Sequence, residues 1–215
     1  VAPGVPSWAG LIGDGVGRLG GGPGGSVVCG GSHASLYPAE PVGHGDAHAV
    51  VKGDGDRVWP AVLNDCKAGT LQRVYDGGKI EGASMLQARW DLLPRDKYMI
   101  ASVQTVRGCP KHCSFCSVWR TDGQKPRVRE SDAVIEELVQ LRRLGFRFIA
   151  LADDNFYPVT LEDLRMANRR EDKSTYNRLK AIRYERFALM AELAKLPSDM
   201  NFFTQIPMEA AQDPV

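Results

Sequence analysis

Long apolar runs are missing from this chain. No stretch reaches the roughly 18 consecutive apolar residues of a membrane-spanning helix, and the N-terminal residues show neither the basic region nor the apolar run of a secretory signal. An excess of charge of one sign is missing too. With 27 Lys and Arg against 26 Asp and Glu the net charge is +1, which argues against a protein whose affinity comes mainly from a polyanion. Cysteine is sparse, and three of the five cysteines lie within a few residues of one another, a usage that suits a reducing compartment better than a disulfide scaffold. These absences predict a cytoplasmic protein with no membrane span and no nucleic-acid partner. The glycine stretch Gly13-Asp-Gly-Val-Gly17 has no clear preceding strand and no Lys-Ser/Thr partner, so it does not read as a phosphate loop.

What is present is ordinary core material, 43% apolar and 25% charged, around one unusual stretch. In Thr105 to Trp119, TVRGCPKHCSFCSVW, the thiols of Cys109, Cys113 and Cys116 stand in a C-x3-C-x2-C spacing. Three thiolates on one short loop can turn toward a common centre. A cubane iron–sulfur cluster is usually held by four cysteines, so three leave one iron open to substrate or cofactor. Structural zinc is the competing reading, with His112 as a fourth ligand. It is disfavoured because zinc takes its ligands as two separated pairs, and no second C-x2-C pair exists.

Along the chain, residues 1–25 are dominated by Gly and Pro and read as disordered. A short strand is expected at Val27-Val-Cys29, broken by Gly30-Gly31, and another at Ala49–Lys52. A helix is expected from Arg57 to Cys66, with Pro60 in its first turn and Gly69 as its stop. Residues 26–69 therefore read as α/β, and 70–97, with the turn Asp76-Gly-Gly and the segment Trp90-Asp-Leu-Leu-Pro, as a linker.

From Tyr98 the pattern turns β/α. A strand from Tyr98 to Thr105 leads into the cysteine loop. A helix capped by Ser131 or Asp132 carries Val134, Ile135, Leu138, Leu141 and Leu144 on one face. Phe146–Ala152 reads as a strand buried on both faces and ends in Asp153-Asp-Asn155. Thr160-Leu-Glu-Asp163 reads as a capping box. A further helical run follows from Arg178, and Met200–Ile206 forms a third strand. This is the opening of a (β/α) barrel, whose functional groups gather at the C-terminal ends of the strands. The basic residues Arg120, Lys125, Arg127 and Arg129 read as a solvated loop or as a contact for an anionic substrate.

The cysteine loop, with the aromatic Phe115 just before the last cysteine, resembles the signature of the radical S-adenosylmethionine (radical SAM) enzymes. The segments GGSHAS and DAHAVVKGDGD resemble the closing part of the cobalamin (vitamin B12)-binding domain that precedes the radical domain in one branch of that family. Gly30, Gly31 and Ser32 match its first element, and Gly53, Gly55 and Asp56 its second. The resemblance implies an α/β chain in which 26–69 are the C-terminal end of a Rossmann-like cobalamin-binding domain and 98–215 the first part of a radical SAM partial TIM barrel. Both ends read as cut, so a fragment is expected.

By resemblance, Cys109, Cys113 and Cys116 ligate a [4Fe-4S] cluster and Phe115 lies against the adenine of S-adenosylmethionine. Asp153, Asp154 and Asn155 either accept from its methionine ammonium or act as a cap or turn. Gly30, Gly31 and Ser32 approach cobalamin, while His33, His44 and His48 read as surface or loop residues. The implied reaction is reductive cleavage of S-adenosylmethionine to a 5′-deoxyadenosyl radical. It would serve methyl transfer, cyclisation or rearrangement on an unknown small-molecule substrate, with flavodoxin or ferredoxin as reductant. The alternatives are an RNA methylthiotransferase of the same family, for which Cys29 and Cys66 are a poor match, and a non-catalytic zinc or truncated module.

Overall fold

The computed structural model describes residues 16–19 and 25–213. They form two compact units. One comprises the described residues up to Ile80 together with Cys113–Asp122, and the other Glu81–His112 with the residues from Gly123 onward.

In the first unit, β1 (Val16–Leu19) runs antiparallel to β2 (Ser26–Cys29), and β2, β3 (Ala49–Lys52) and β4 (Val74–Asp76) follow in parallel. Runs of Val suit these strands because β-branched side chains pack well on a pleated surface. Short helices α1 (Ser32–Leu36) and α2 (Ala39–Gly43) link β2 to β3, and α3 (Trp59–Ala68) links β3 to β4. Val28, Ala49 and Val51 are buried with Val62 of α3 and Tyr75, while Cys29 and Val50 are buried with Ala34 and Ala47. Parallel strands with both faces covered are the usual arrangement in α/β folds. A further helix, α4 (Val118–Thr121), belongs to this unit and packs on α1.

Two expectations change here. Residues 16–19 within the Gly/Pro-rich segment form β1, where disorder was expected; residues 1–15 and 20–24 lie outside the described residues. The expected linker 70–97 contains β4, so the α/β unit continues past residue 69. A three-residue strand has no period to read, and only Tyr75 of the three is buried. Its hydroxyl donates to Asp65 at 2.7 Å and accepts from the Gln72 N–H at 3.0 Å, which ties β4 to α3. Pro60 and Gly69 take the expected places at the first turn and the left-handed C-cap of α3.

In the second unit β5 (Ile100–Val103), β8 (Phe148–Leu151) and β9 (Asn201–Thr204) form a parallel sheet in that order, with Ile100, Phe148 and Asn201 in register. A separate two-stranded ribbon pairs β6 (Val106–Arg107) with β7 (Arg127–Val128). Helix α5 (Ser131–Arg143) carries the chain from β5 back to β8, and α6 (Leu161–Arg169) with α7 (Lys173–Leu193) carries it on to β9. Ala101, Val103, Ile149 and Leu151 are buried against Val134, Leu138, Leu141 and Leu189 of the helices.

The other face of this sheet presents Ile100, Phe148 and Phe203, each at least 40% exposed. The expectation that Phe146–Ala152 is buried on both faces is therefore corrected. Three strands are too few to close a cylinder, and the crossover helices cover only one side. The last helix starts at Lys173 rather than Arg178, its first turn capped by the Asp172 side chain accepting from Thr175 N–H at 2.9 Å. The capping box at Thr160 and Asp163 is present as expected.

Gly77 and Gly69 offer a test of packing in the first unit. A Cβ on Gly77 would stand 1.8 Å from the Asp54 carbonyl oxygen, whereas one on Gly69 meets nothing within 4 Å and suffers only its φ of +71°. Gly69→Ala is expected to cost about 1–2 kcal/mol from the left-handed conformation. Gly77→Ala should cost more, because backbone must move; equal urea midpoints for the two variants would contradict this close approach.

Candidate functional site

The site begins where β5 and β8 end. Their parallel register brings Ala152 N–H to the Val103 carbonyl at 2.9 Å, so the residues after each strand leave the sheet side by side. The Asp153 carboxylate then accepts from Thr105 N–H at 2.5 Å, from Thr105 Oγ1 at 2.5 Å and from Val106 N–H at 2.9 Å. From α7, Arg186 donates to Thr105 Oγ1 at 2.6 Å and to the Thr105 carbonyl at 3.4 Å. Thr105 is fully buried and Arg186 is 1% exposed. Burial pushes the Asp153 carboxyl up, against the hydrogen bonds from Thr105 and Val106 and the charge of Arg186. It pushes Arg186 down, against the charges of Asp153 and Glu185.

The next two residues continue along the same loop. Asp154 Oδ2 accepts from Gly108 N–H at 2.6 Å, and Gly108 has a φ of +92° that a glycine adopts without strain. Asn155 donates from Nδ2 to Cys109 Sγ at 3.8 Å and accepts from Tyr157 N–H at 3.1 Å. Cys109 N–H itself donates to the Gly123 carbonyl at 3.0 Å. Asp153, Asp154 and Asn155 thus meet residues 105–106, 108 and 109 in turn.

A second buried cation supports this junction. Arg129 donates to the Gln104 carbonyl at 3.0 Å and to Glu137 at 2.7 Å, while Trp90 Nε1 donates to the other Glu137 oxygen at 2.7 Å. Arg127 and Arg129 are 8% and 5% exposed, so the expectation of a solvated or substrate-facing basic run is corrected for both. Their strand folds back along β6, which carries these side chains inward. Arg120 stacks on the Trp119 ring at 4.6 Å.

The cysteines are free thiols: Cys109 and Cys116 are half-buried and Cys113 is exposed. Cys109 lies in the second unit, and Cys113 and Cys116 in the first. The Cys113 carbonyl accepts from Cys116 N–H at 3.1 Å and from Trp119 Nε1 at 3.3 Å. Among the described residues no group of three or more His, Cys, Asp and Glu side chains is gathered closely enough to hold a metal ion. The donor set nevertheless suits an iron–sulfur cluster, with three thiols outside any disulfide and an amide N–H on one sulfur. Phe115 is 91% exposed, available to a ligand surface.

Gly31 has a φ of +94° at the start of α1, and its carbonyl accepts from Ser35 N–H at 2.9 Å. Ser32 is the first residue of α1. Ser35 Oγ accepts from Gly53 N–H at 2.9 Å, joining the turns after β2 and β3. His33 pairs with Glu40 at 2.9 Å, and His48 Nδ1 accepts from Val27 N–H at 2.9 Å, so both serve local structure.

One role changes on this geometry. Asp153 is 4% exposed and both its oxygens already accept hydrogen bonds, so the expected contact with a methionine ammonium does not fall to it. Arg186 was not among the expected site residues. Its one sequence signal is position: with Ile182 and Leu189 it occupies i, i+4 and i+7, a buried stripe of α7. Two surface cavities, about 450 Å³ lined by Leu161, Leu164 and Tyr184 among others, and about 750 Å³ lined by Gln87, Glu136 and Arg143 among others, contain none of these site residues.

Residues 103–207 match the sequence model of the Radical SAM superfamily. A radical SAM domain is therefore present in this part of the chain, from the last residue of β5 to just past β9. This is a family of enzymes whose cofactors are a [4Fe-4S] cluster and S-adenosylmethionine.

An uncharacterized methyltransferase of Synechocystis is 33% identical over 132 residues, covering 60% of this chain and 24% of that protein. The bacteriochlorophyllide d C-8(2)-methyltransferase of Chlorobaculum tepidum is 25% identical over 153 residues, covering 65% of this chain and 32% of that protein. The chain thus spans about a quarter to a third of the length of these relatives. Among solved structures, the radical S-adenosylmethionine methyltransferase TsrM of Kitasatospora setae, with cobalamin and a [4Fe-4S] cluster bound, shares the fold. The TM-score is 0.50 over 71% of this chain and 36% of that one, at 20% identity.

Breaking the Asp153–Arg186 arrangement has a defined cost. Arg186→Met is expected to destabilise the protein by about 3–5 kcal/mol, since a buried carboxylate loses its cation. Asp153→Asn in the Arg186→Met background should recover part of that loss. Strictly additive effects in a double-mutant cycle by urea denaturation would show that the two groups are not coupled.

Proposed function

We propose that this chain is part of a radical SAM enzyme of the cobalamin-associated kind, acting in methyl transfer, cyclisation or rearrangement on a small molecule. The observation that carries this reading is the C-x3-C-x2-C loop at the C-terminal end of β5, held by Asp153-Asp154-Asn155 from the same end of the neighbouring strand, within a segment matching the Radical SAM superfamily. Cys109, Cys113 and Cys116 would ligate three irons. When bound, the cluster supplies the electron that breaks the C5′–S bond of S-adenosylmethionine, releasing methionine and a 5′-deoxyadenosyl radical.

The chain's own residues bind and orient. Asp154 is half-buried and follows directly on the strand end beside the cysteine loop, where its Oδ2 accepts from Gly108 N–H at 2.6 Å; an ionised carboxylate is an acceptor on both oxygens, the chemistry an ammonium needs. It is the residue we assign to the methionine ammonium. The exposed ring of Phe115 would cover the adenine, and Asn155 would hold Cys109. In the first unit the turn Gly30-Gly31-Ser32 stands at the C-terminal end of β2, where α/β sheets place their ligands, and this is the support for a cobalamin contact there. A small electron-transfer protein of the flavodoxin or ferredoxin type would deliver the electron. Among the described residues no helix is long and apolar enough to cross a membrane.

Anaerobic reconstitution with iron and sulfide tests the reading. A brown protein with about four irons per chain is expected, with most of the colour lost in Cys113→Ala. Addition of S-adenosylmethionine and dithionite should yield 5′-deoxyadenosine by mass spectrometry. A colourless protein that retains one zinc per chain would overturn the assignment.

A further inference from the structure

Asn155 is placed as a donor and not merely as a turn residue. It is 4% exposed, and its amide cannot be reversed without loss. Tyr157 N–H can only donate, and it does so to Asn155 Oδ1 at 3.1 Å, which leaves Nδ2 to face Cys109 Sγ at 3.8 Å. The backbone around it is pinned on both sides. Asp153 is held by Thr105, Val106 and, through Thr105, Arg186. Phe156 N–H donates to the Gln205 carbonyl past the end of β9 at 2.9 Å. An N–H donor fixed this firmly cannot follow a sulfur that changes its charge, so it acts on that sulfur at constant geometry.

We infer that Asn155 is a positioning residue that sets the reduction potential of the cluster through its hydrogen bond to Cys109 Sγ, an inference that rests on the cluster assignment above. An amide N–H on a ligating sulfur draws electron density from it. Added negative charge is then better tolerated in the reduced state, and the potential rises. Removing the donor therefore makes the cluster harder to reduce.

Two variants separate this effect from folding. Asn155→Asp keeps the shape and the acceptor for Tyr157 N–H but replaces the donor with a carboxylate. Asn155→Ser keeps a short acceptor, adds no charge and falls short of the sulfur. In the reconstituted chain both should hold as much iron as the wild type. In an anaerobic redox titration read by absorbance and by electron paramagnetic resonance, Asn155→Asp should lower the reduced-to-oxidised ratio at fixed potential about tenfold. For one electron this is a midpoint about 59 mV more negative. Asn155→Ser should move in the same direction by a smaller amount.

Midpoints equal to the wild type in both variants at equal iron content would overturn the inference and leave the cluster assignment standing. Loss of the cluster in both would also overturn it, marking the amide as structural support only. A wild-type chain that takes up no iron–sulfur cluster would instead overturn the assignment on which the inference rests.

Discussion

The second unit depends on how one buried carboxylate is satisfied. Asp153 sits where two parallel strands release their chains, and an unpaired carboxylate there would cost far more than one hydrogen bond returns. Thr105 and Val106 supply three donors, and Arg186 supplies the opposing charge through the Thr105 hydroxyl. The result is rigid because each group has few ways to be satisfied elsewhere. The loop that begins at Thr105 therefore leaves the sheet in a set direction, and Asp154 and Asn155 extend that control to Gly108 and Cys109.

The pair Arg129 and Glu137 repeats the device on the other side. Both are almost fully buried, and Arg129 reaches the Gln104 carbonyl while its own N–H donates to the Thr105 carbonyl at 2.9 Å. Two cations from different elements thus fix consecutive residues of one strand end. Buried ion pairs are a poor source of net stability, since desolvation offsets their attraction. Here they determine where a loop starts, which suits a site whose ligands must be presented in a given order. The first unit relies on a different device, close backbone approach. The Asp54 carbonyl meets Gly77 and the Gly78 carbonyl meets Gly53 with no room for a Cβ, so glycine is what lets the turns after β3 and β4 touch.

Much of this was legible from residue order. The thiol spacing named a chemistry, Val28, Val50 and Val51 announced buried strands, and Thr160 with Asp163 announced a helix start, because each depends on neighbours within a few positions. The misread features depend on partners far along the chain. β4 is too short to carry a period and is held by Tyr75 reaching Asp65. Phe148 belongs to an apolar run, yet it stands on the face that no helix covers. Arg127 and Arg129 look like solvent-facing charges until their burial, and for Arg129 its pairing with Glu137, is seen.

By itself, then, the sequence determined that three thiols share one loop after a strand, that a β/α order surrounds them, and that the chain resembles radical SAM enzymes. These are local or compositional properties. Only the tertiary structure decided that Asp153 is a structural anchor rather than a ligand contact, that Arg186 stands behind it, and that Asn155 donates to Cys109. Those roles join residues 46 and 81 positions apart. They arise because a parallel sheet brings strand ends together and a buried carboxylate such as Asp153 is costly unless both its oxygens find donors.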